Sequence, residues 1–547
     1  MFQIQQEIQK SILKIENLHQ KYDLSTEQLE KIKPQIDNFK VRIPIIGAFS
    51  AGKSSLINRL IDQKLLCVEI DPASNLATEI SYSEEENIKG FKTNKFIKNL
   101  TVEELKQQEF AELMPDGHIE VQLNQPFLAT LPHLCLADLP GLDSKSDAHM
   151  QAIYHYLGRS LAYVIAVSSD EGTLKESVKK FLQELALHHA PVLVIITKSD
   201  KKTFDELELI KQQISDQVRS LLPEGNYLDV VCVSAKKRDV IQAIEAFQNL
   251  ELLSEKRFKE TVVPQFIYVI DDLIAHLTIL INKDDLNIDE LVEQKQQLIS
   301  EVESFQKKLS MEQQTMKNQI PNVLNKIMEH IHNRLLGESD QYASALMAQN
   351  NIESDIGYSV RIALTEGMEQ YFKPLVDKYI HRIEADLPSL IINQNFHFDE
   401  RINDSKMFDF GMTGIVGILS FIFKRFPLTA VILPIITSIF KEFMSDRNRE
   451  LQLETQKEAA RTHVRNRIIP QVLEQIRLGL SDIFKEQLNE INQKVEQQLS
   501  EKIKQTQYSV TMLEEQLQKN GQERIEQQEI YQQDLNELEE LKQKLIA

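Results

Sequence analysis

The spacing of apolar residues changes character along this chain. In residues 1–38, Ile4, Ile8, Ile12 and Ile15 step by four, four and three with polar residues between them. That predicts a helix, which Pro34 ends or kinks. From 39 to 250 short apolar runs take over: VRIPIIG (41–47), CLADLP (135–140), LAYVIAVS (161–168), PVLVIIT (191–197) and LDVVCVSA (228–235). Each is rich in Val and Ile and apolar on both parities, as a parallel strand buried on both faces must be. Helical stretches separate them, so an α/β sheet with right-handed crossovers is expected. From 251 to 405 and from 445 to 547 the chain is rich in Gln, Glu and Lys at helical periodicity. Leu488, Ile491, Val495, Leu499 and Ile503 step by three, four, four and four, closer to a packed bundle face than to a strict 3.5-residue seam. The closing EIYQQDLNELEELKQKLIA repeats Leu at helical steps as well.

One stretch breaks this polar helical pattern. GMTGIVGILSFIF (411–423) and FPLTAVILPIITSIF (426–440) carry no charge, and only Lys424 and Arg425 separate them. At 13 and 15 residues neither run reaches the roughly 20 needed to span a bilayer. Joining them would place two charges mid-span, at about 2.5–3.5 kcal/mol each. A helical hairpin entering one leaflet fits better. Pro427 and Pro434 break or kink its second limb, and Gly411, Gly414 and Gly417 let the limbs approach. Ile415, Leu419, Phe421, Phe423 and Phe426 are the candidate lipid-facing residues, and Lys424 and Arg425 can reach headgroups. The alternative is a buried hairpin of a helical core. Against it, the neighbouring helices look polar, with narrow apolar faces that offer little cover. The expected organisation is an N-terminal helix packing with the bundle (1–38), a nucleotide domain (39–250), a helical neck and trunk (251–405), an apolar paddle (406–444) and a returning trunk and neck (445–547).

Composition narrows the functional classes. The 547 residues suggest roughly three or four structural units. Lys plus Arg is 62 and Asp plus Glu is 82, a net charge of −20. That argues against general nucleic-acid binding and against docking on anionic lipid by charge alone. Gly 16 and Pro 16 are low for the length, consistent with long helices and few turns. Cys67, Cys135 and Cys232 are scattered, match no zinc spacing and point to a reducing compartment. The start, MFQIQQEIQK, does not read as a secretory signal. The His188–His189 pair has no partner ligand at metal spacing and reads as packing.

The chemistry begins at GAFSAGKSS, which follows the first buried run and opens SLINRL. This is G-x-x-x-x-G-K-S in strand–loop–helix context. The loop Gly47, Ala48, Phe49, Ser50, Ala51, Gly52, Lys53, Ser54 and Ser55 would turn its N–H groups onto phosphate oxygens at a helix N-terminus. Lys53 would neutralise the β- and γ-phosphates, and the Ser54 hydroxyl would bind Mg²⁺. DLPG places Asp138 where it can hold Mg²⁺ through its water shell and Gly141 where its N–H can meet the γ-phosphate. TKSD, from Thr197, puts Lys198 over a base and offers the two oxygens of Asp200 to N1–H and N2–H₂ of guanine. Adenine has no such donor pair, so the site selects GTP. In SAK, a backbone N–H after Ser234, from Ala235 or Lys236, can reach guanine O6. Between these motifs, EIDPASNLATEISY must supply a hydroxyl to complete the Mg²⁺ shell, with Ser74 and Thr78 as candidates.

The combination GAFSAGKSSLINRL, DPASNLATEI, DLPGLDS and TKSD resembles the dynamin superfamily, specifically bacterial dynamin-like proteins. The resemblance implies an α/β P-loop GTPase domain on a long all-α bundle stalk with an apolar helical hairpin at its tip. It implies GTP and Mg²⁺ as cofactors and lipid binding through 408–444. It also implies self-association through the GTPase domains, with a paired homologue as one form, and membrane remodelling from the inner, cytoplasmic face. Lys53, Ser54, Asp138 and Asp200 fall on signature positions of the family. Ser74 would stand in for its switch Thr, and Thr78 matches a second Thr at the start of the next strand. Phe49 lies where eukaryotic dynamins carry a Gln, and Ser50 follows it, so Lys53, Ser50 and Ser74 are the candidate catalytic residues. The alternatives are a soluble signalling or scaffold GTPase whose apolar hairpin is core, and a GTP-binding pseudo-GTPase.

Overall fold

The computed structural model describes residues 1–68, 76–92, 95–107, 113, 117–142, 156, 160–281, 288–348, 352–385, 419, 422, 428, 432–439, 453–517 and 521–546. Its N-terminal part is an α/β sheet domain and the rest is mostly helical. Two helices precede the sheet, α1 (Gln3–Lys21) and α2 (Glu27–Asp37), where the periodicity predicted one. The break falls at the turn after Tyr22, where Asp23 adopts a left-handed φ of 52°. Pro34 sits inside α2 and does not end it. The buried Leu29, Ile32 and Ile36 hold that helix in place, and the Asn38 N–H still reaches the Pro34 carbonyl at 3.0 Å.

The sheet comprises β1 (Val41–Gly47), β2 (Ala77–Tyr82), β3 (Asn87–Lys92), β4 (Lys95–Asn99), β5 (Gly117–Leu123), β6 (Leu134–Asp138), β7 (Tyr163–Ser168), β8 (Val192–Thr197) and β9 (Tyr227–Cys232). Their order is β4-β3-β5-β2-β6-β1-β7-β8-β9. The five apolar runs of the sequence are β1 and β6 to β9, and these pair in parallel. Burial on both faces explains why β1 and β6 to β8 read so plainly, whereas β9, at the sheet edge, buries Val230 and Val231 and exposes Leu228 and Asp229. The parallel register, Ile45 beside Asp138 and Ser168 beside Thr197, brings the C-terminal ends of these strands to one edge. In such sheets that edge is where ligands bind. β2 runs antiparallel to β6 and parallel to β5, and β3 and β4 extend the sheet antiparallel.

The domain's helices are α3 (Lys53–Leu60), α4 (Val102–Gln107), α5 (Pro126–Ala129), α6 (Glu176–Leu187), α7 (Phe204–Leu221) and α8 (Ile241–Thr261). α9 (Val263–Ile281) then packs with α1, α2 and α17 (Gly521–Ile546) in a small bundle. Its core is Ile8, Ile15, Phe266, Ile270, Leu273 and Leu538, all fully buried. The trunk holds α10 (Ile288–Gly337), α11 (Ser339–Met347), α12 (Glu353–Gly367), α13 (Lys373–Ala385), α14 (432–439), α15 (Leu453–His463) and α16 (Ile469–Leu517). Single π-turns, Met368–Phe372 and Val464–Ile468, join α12 to α13 and α15 to α16. Leu488, Ile491 and Val495 are buried along α16, as their spacing predicts; the side chains of Leu499 and Ile503 lie outside the description.

Of the candidate lipid-facing residues, only Leu419 falls among the described residues; Ile415, Phe421, Phe423, Lys424, Arg425 and Phe426 do not. Leu419 is buried in the trunk's apolar cluster together with Ile422, Leu428, Ile432, Ile436 and Ile439. The expectation that neighbouring helices offer too little apolar surface is overturned. α12 buries Ile356, Val360, Ala363 and Leu364, and Ile432 lies against its Gly357. Among the described residues no helix is long and apolar enough to cross a membrane.

Candidate nucleotide site

β1 must end in glycine. A Cβ on Gly47 would lie 2.3 Å from the Ala166 carbonyl oxygen of β7, so close strand approach, rather than a turn, dictates the residue. The following loop turns through left-handed conformations at Ser50 (φ 66°) and Gly52 (φ 85°) before α3 begins at Lys53. Only Gly takes such a φ without steric penalty, so Ser50 is the strained member of the loop. The Lys53 ammonium lies 3.4 Å from both the Gly47 and the Ala48 carbonyl oxygens, folded over the mouth of the loop.

Behind the loop, Ser54 Oγ donates to Asp138 Oδ2 at 2.8 Å. The other oxygen, Asp138 Oδ1, is buried and has no hydrogen-bond partner. Burial pushes this carboxyl above its usual range, while Lys53 and the Ser54 hydroxyl pull it down. A hydroxyl and a carboxylate in contact, with a buried oxygen left over, form a donor set that fits a hard divalent cation such as Mg²⁺. Thr78 sits opposite Asp138 in the β2–β6 register and is buried, fixed within a strand. Ser74 lies outside the described residues. Gly141 presses on the loop from the other side, where a Cβ would lie 3.1 Å from the Phe49 nitrogen. Phe49 itself is 40% exposed.

The TKSD segment closes the edge. Thr197 Oγ1 donates to the Ala51 carbonyl at 2.5 Å and so ties this strand end to the phosphate loop. Lys198 adopts a left-handed φ of 57°, and its ammonium donates to the Ser50 carbonyl at 2.9 Å. The Asp200 carboxylate accepts from Ser234 Oγ at 2.6 Å, and that bond holds it below the usual carboxylate range. Ser234 therefore aims the carboxylate that TKSD supplies. The structure thus brings together residues 47–55, Asp138, Gly141, 197–200 and 234–236 at one sheet edge.

Two further ties escaped the motif reading. Arg59 Nε of α3 donates to the Ala235 carbonyl at 3.0 Å, holding the SAK turn. Asp170, just past β7, pairs with Lys201 at 2.6 Å, and Ser169 Oγ donates to the Lys198 carbonyl at 2.7 Å. Neither follows a recognisable spacing. His188 caps α6, and burial lowers its pKa to about 4, as suits a packing residue.

Comparison with known proteins adds an independent line. The sequence profile of the dynamin family matches residues 43–199. Dynamin-like protein 1 of Campylobacter jejuni subsp. jejuni is 24% identical over 283 residues, 42% of this chain and 38% of that protein. A probable FZO-like transmembrane GTPase of the Arabidopsis thaliana chloroplast is 25% identical over 242 residues, 43% of this chain and 24% of that protein. An uncharacterised protein of Caldicellulosiruptor is 25% identical over 221 residues, 39% of this chain and 54% of that protein. The chain therefore spans about half or less of the length of these curated relatives. A solved oligomerised bacterial dynamin pair aligns over 99% of this chain and 81% of its own, at 17% identity and a TM-score of 0.40.

Proposed function

We propose that this chain, a bacterial dynamin-like GTPase, binds and hydrolyses GTP with Mg²⁺ at the C-terminal edge of its sheet and couples turnover to membrane binding and remodelling. The observation that carries the reading is the convergence of four separate strand ends on one edge, with a buried, partnerless Asp138 oxygen among them. Lys53 meets the β- and γ-phosphates, while the Gly47–Ser55 loop supplies N–H donors. Ser54 and Asp138 hold the ion, with Ser74 as the candidate switch hydroxyl. Mg²⁺, when bound, neutralises charge on the phosphate oxygens. Asp200 accepts from guanine N1–H and N2–H₂, Lys198 covers the base, and an N–H of Ala235 or Lys236 meets O6. Hydrolysis is attack of water on the γ-phosphate, helped by positioning and charge neutralisation. Phe49 cannot hydrogen-bond that water, so its positioning falls to Ser50 and to a second GTPase domain, of another copy or a paired homologue. Segment 406–444 is the lipid-binding element, acting on the inner, cytoplasmic face of a membrane. Kinship with a dynamin-like protein and an FZO-like GTPase supports that direction.

A second reading has its own observation. Leu419, Ile422, Leu428, Ile432, Ile436 and Ile439 are buried in the trunk, which favours a soluble scaffold GTPase with a core hairpin. Phosphate release and vesicle flotation, followed in one sample with and without GTP, separate the two. Lys53→Ala is expected to lose nucleotide binding or turnover, and full GTPase activity in that variant would refute the site. Replacing Ile415, Leu419 and Phe421 by charged residues is expected to abolish flotation; unchanged flotation would mean that this segment is not the membrane element.

A further inference from the structure

One face of the parallel pair β2–β5 gathers side chains that the nucleotide site does not use. The register sets Glu79 of β2 directly opposite Glu120 of β5. His118, two residues before Glu120, shares its face, because strand side chains alternate. One ligand atom from each of Glu79, His118 and Glu120 lies within 4.8 Å of the others. His118 Nε2 and Glu120 Oε1 are 3.4 Å apart. Two ligands held tetrahedrally at about 2.0–2.1 Å from one ion stand about 3.4 Å apart, so this pair already has the required spacing. The Phe91 ring of β3 stacks on the His118 ring, with 5.1 Å between centres and 9° between planes, and so fixes the orientation of the imidazole.

The contacts around these three residues leave room for a cation. Glu79 is buried, and its Oε1 accepts from Arg42 Nε at 2.7 Å and from the Tyr156 hydroxyl at 2.9 Å. Among the described residues its Oε2 accepts only from the weak thiol donor of Cys135, at 3.7 Å. A carboxylate has lone pairs on both oxygens, so Oε2 has capacity to spare. Glu120 is the second carboxylate, and like charges directly opposite one another weaken a sheet. Arg42 offsets Glu79 from the β1 side. Lys89 of β3 stands opposite Glu120 in the register, yet among the described residues Glu120 pairs with His118 and not with Lys89. A divalent cation between the two carboxylates removes their repulsion. The His118 side chain is 12% exposed and that of Glu120 35%, so an ion can enter past Glu120 and meet Glu79 beneath.

We propose that Glu79, His118 and Glu120 form a second cation site, distinct from the nucleotide centre, which takes Zn²⁺ with solvent in the fourth position. One imidazole nitrogen and two carboxylate oxygens suit a divalent transition metal. The imidazole argues against Mg²⁺ and Ca²⁺, which take oxygen donors. Thr78, the neighbour of Glu79 in β2, pairs with Asp138 and points to the opposite face of the sheet, so the two sites do not share ligands. The inference therefore stands apart from the function proposed above. Arg42 and Tyr156 are positioning residues: they hold Oε1 of Glu79 and leave Oε2 for the ion. Cys135 lies behind Glu79, outside the set of three. The bound ion ties β2 to β5 and braces the strand that carries Thr78.

The test titrates the full, nucleotide-free chain with Zn²⁺ against a chromogenic chelator, in excess Mg²⁺. Wild type is expected to hold one equivalent against the chelator and to melt at a higher temperature with it. His118→Ala and Glu120→Gln, both at part-exposed positions, are each expected to weaken that equivalent roughly 100-fold or more. Tyr156→Phe, which acts only through Glu79, should weaken it roughly tenfold. Asp138→Asn is expected to bind Zn²⁺ as wild type does. X-ray absorption of the loaded wild-type chain should show nitrogen and oxygen neighbours with imidazole scattering, a readout that needs no variant to fold. A wild-type chain that holds no equivalent would overturn the site. So would His118→Ala and Glu120→Gln chains that bind like wild type, or a metal shell made mainly of sulfur. Loss of the equivalent in Asp138→Asn alone would place the ion at the nucleotide centre and overturn it as well.

Discussion

Asp138→Asn tests the metal reading most directly, because it keeps shape and removes only charge. The native carboxylate is buried, one oxygen is met by Ser54 and the other by nothing. Its pKa is raised, chiefly by burial. A carboxyl with a raised folded pKa binds more protons folded than unfolded between the ordinary aspartate value and its own. The nucleotide-free protein therefore loses stability from this group as pH rises through that window. The Asn variant should lack that slope and be at least as stable as wild type above it. Ion binding reverses the preference, since a cation needs the ionised carboxylate. Losing one charge-assisted contact of about 1.5–3 kcal/mol should weaken Mg²⁺-dependent GTP binding by roughly tenfold to 150-fold. Thermal melts of the nucleotide-free chain across pH, paired with fluorescent-nucleotide titrations at graded Mg²⁺, read both effects. An Asn variant whose GTP affinity depends on Mg²⁺ as wild type's does would refute the assignment. A large drop in its nucleotide-free melting temperature would mean the carboxylate is structural instead.

Two other substitutions probe what the motifs did not reveal. Arg59→Ala releases the Ala235 carbonyl and with it the turn that presents N–H groups to guanine. At about 1 kcal/mol for a partly exposed bond, GDP release should speed up roughly fivefold in stopped flow, and an unchanged rate would dismiss the tie. Glu79→Gln removes the charge that pairs with Arg42 and leaves the Tyr156 hydroxyl only a neutral acceptor, in a site where Glu79 is buried. Burial alone would raise this carboxyl, but Arg42 outweighs it and holds the pKa low. Its stabilisation is therefore present above the ordinary glutamate range and lost as pH falls through the folded value. Stranding Arg42 should cost about 2–3 kcal/mol in denaturant unfolding of the sheet domain, discounted because Arg42 keeps some access to water.

What the sequence disclosed and what it hid follow from the range of the interactions involved. β1 and β6 to β8 are legible because burial on both faces leaves near-continuous apolar runs, while the edge strand β9 shows through Val230 and Val231. β3 (NIKGFK) and β5 (GHIEVQL) alternate buried and part-exposed positions and carry charges, so they do not stand out as buried strands. The phosphate loop, DLPG, TKSD and SAK are legible because each is a contiguous string whose chemistry is local. The bonds that assemble them are not local: Arg59 reaches Ala235 and Thr197 reaches Ala51 across folded space. The bond from Arg361 Nε of α12 to Glu184 of α6, at 2.8 Å, is of the same kind, since nothing in either helix alone announces a partner. The break between α1 and α2 is not legible because a left-handed φ at Asp23 leaves no mark in the apolar periodicity, while Pro34 suggests a helix end that it does not make.

Energetics decide whether the apolar segment could serve both packing and the proposed lipid binding. Six of its described side chains, Leu419, Ile422, Leu428, Ile432, Ile436 and Ile439, are buried in the trunk. At about 1.5–3 kcal/mol each, exposing them to water would cost roughly 9–18 kcal/mol. Coupling between a nucleotide site and a distant element is typically about 1–3 kcal/mol. Nucleotide alone therefore cannot expose this surface in water. A bilayer changes the balance, because hydrocarbon receives the same side chains at little cost. The burial of these residues in the absence of lipid is thus what a membrane-binding segment requires in an acidic protein that must not aggregate. Hydrogen exchange across 432–439 should accordingly stay slow with GTP alone and change only when GTP and vesicles are both present. Exchange that never responds to vesicles would assign the segment permanently to the trunk core.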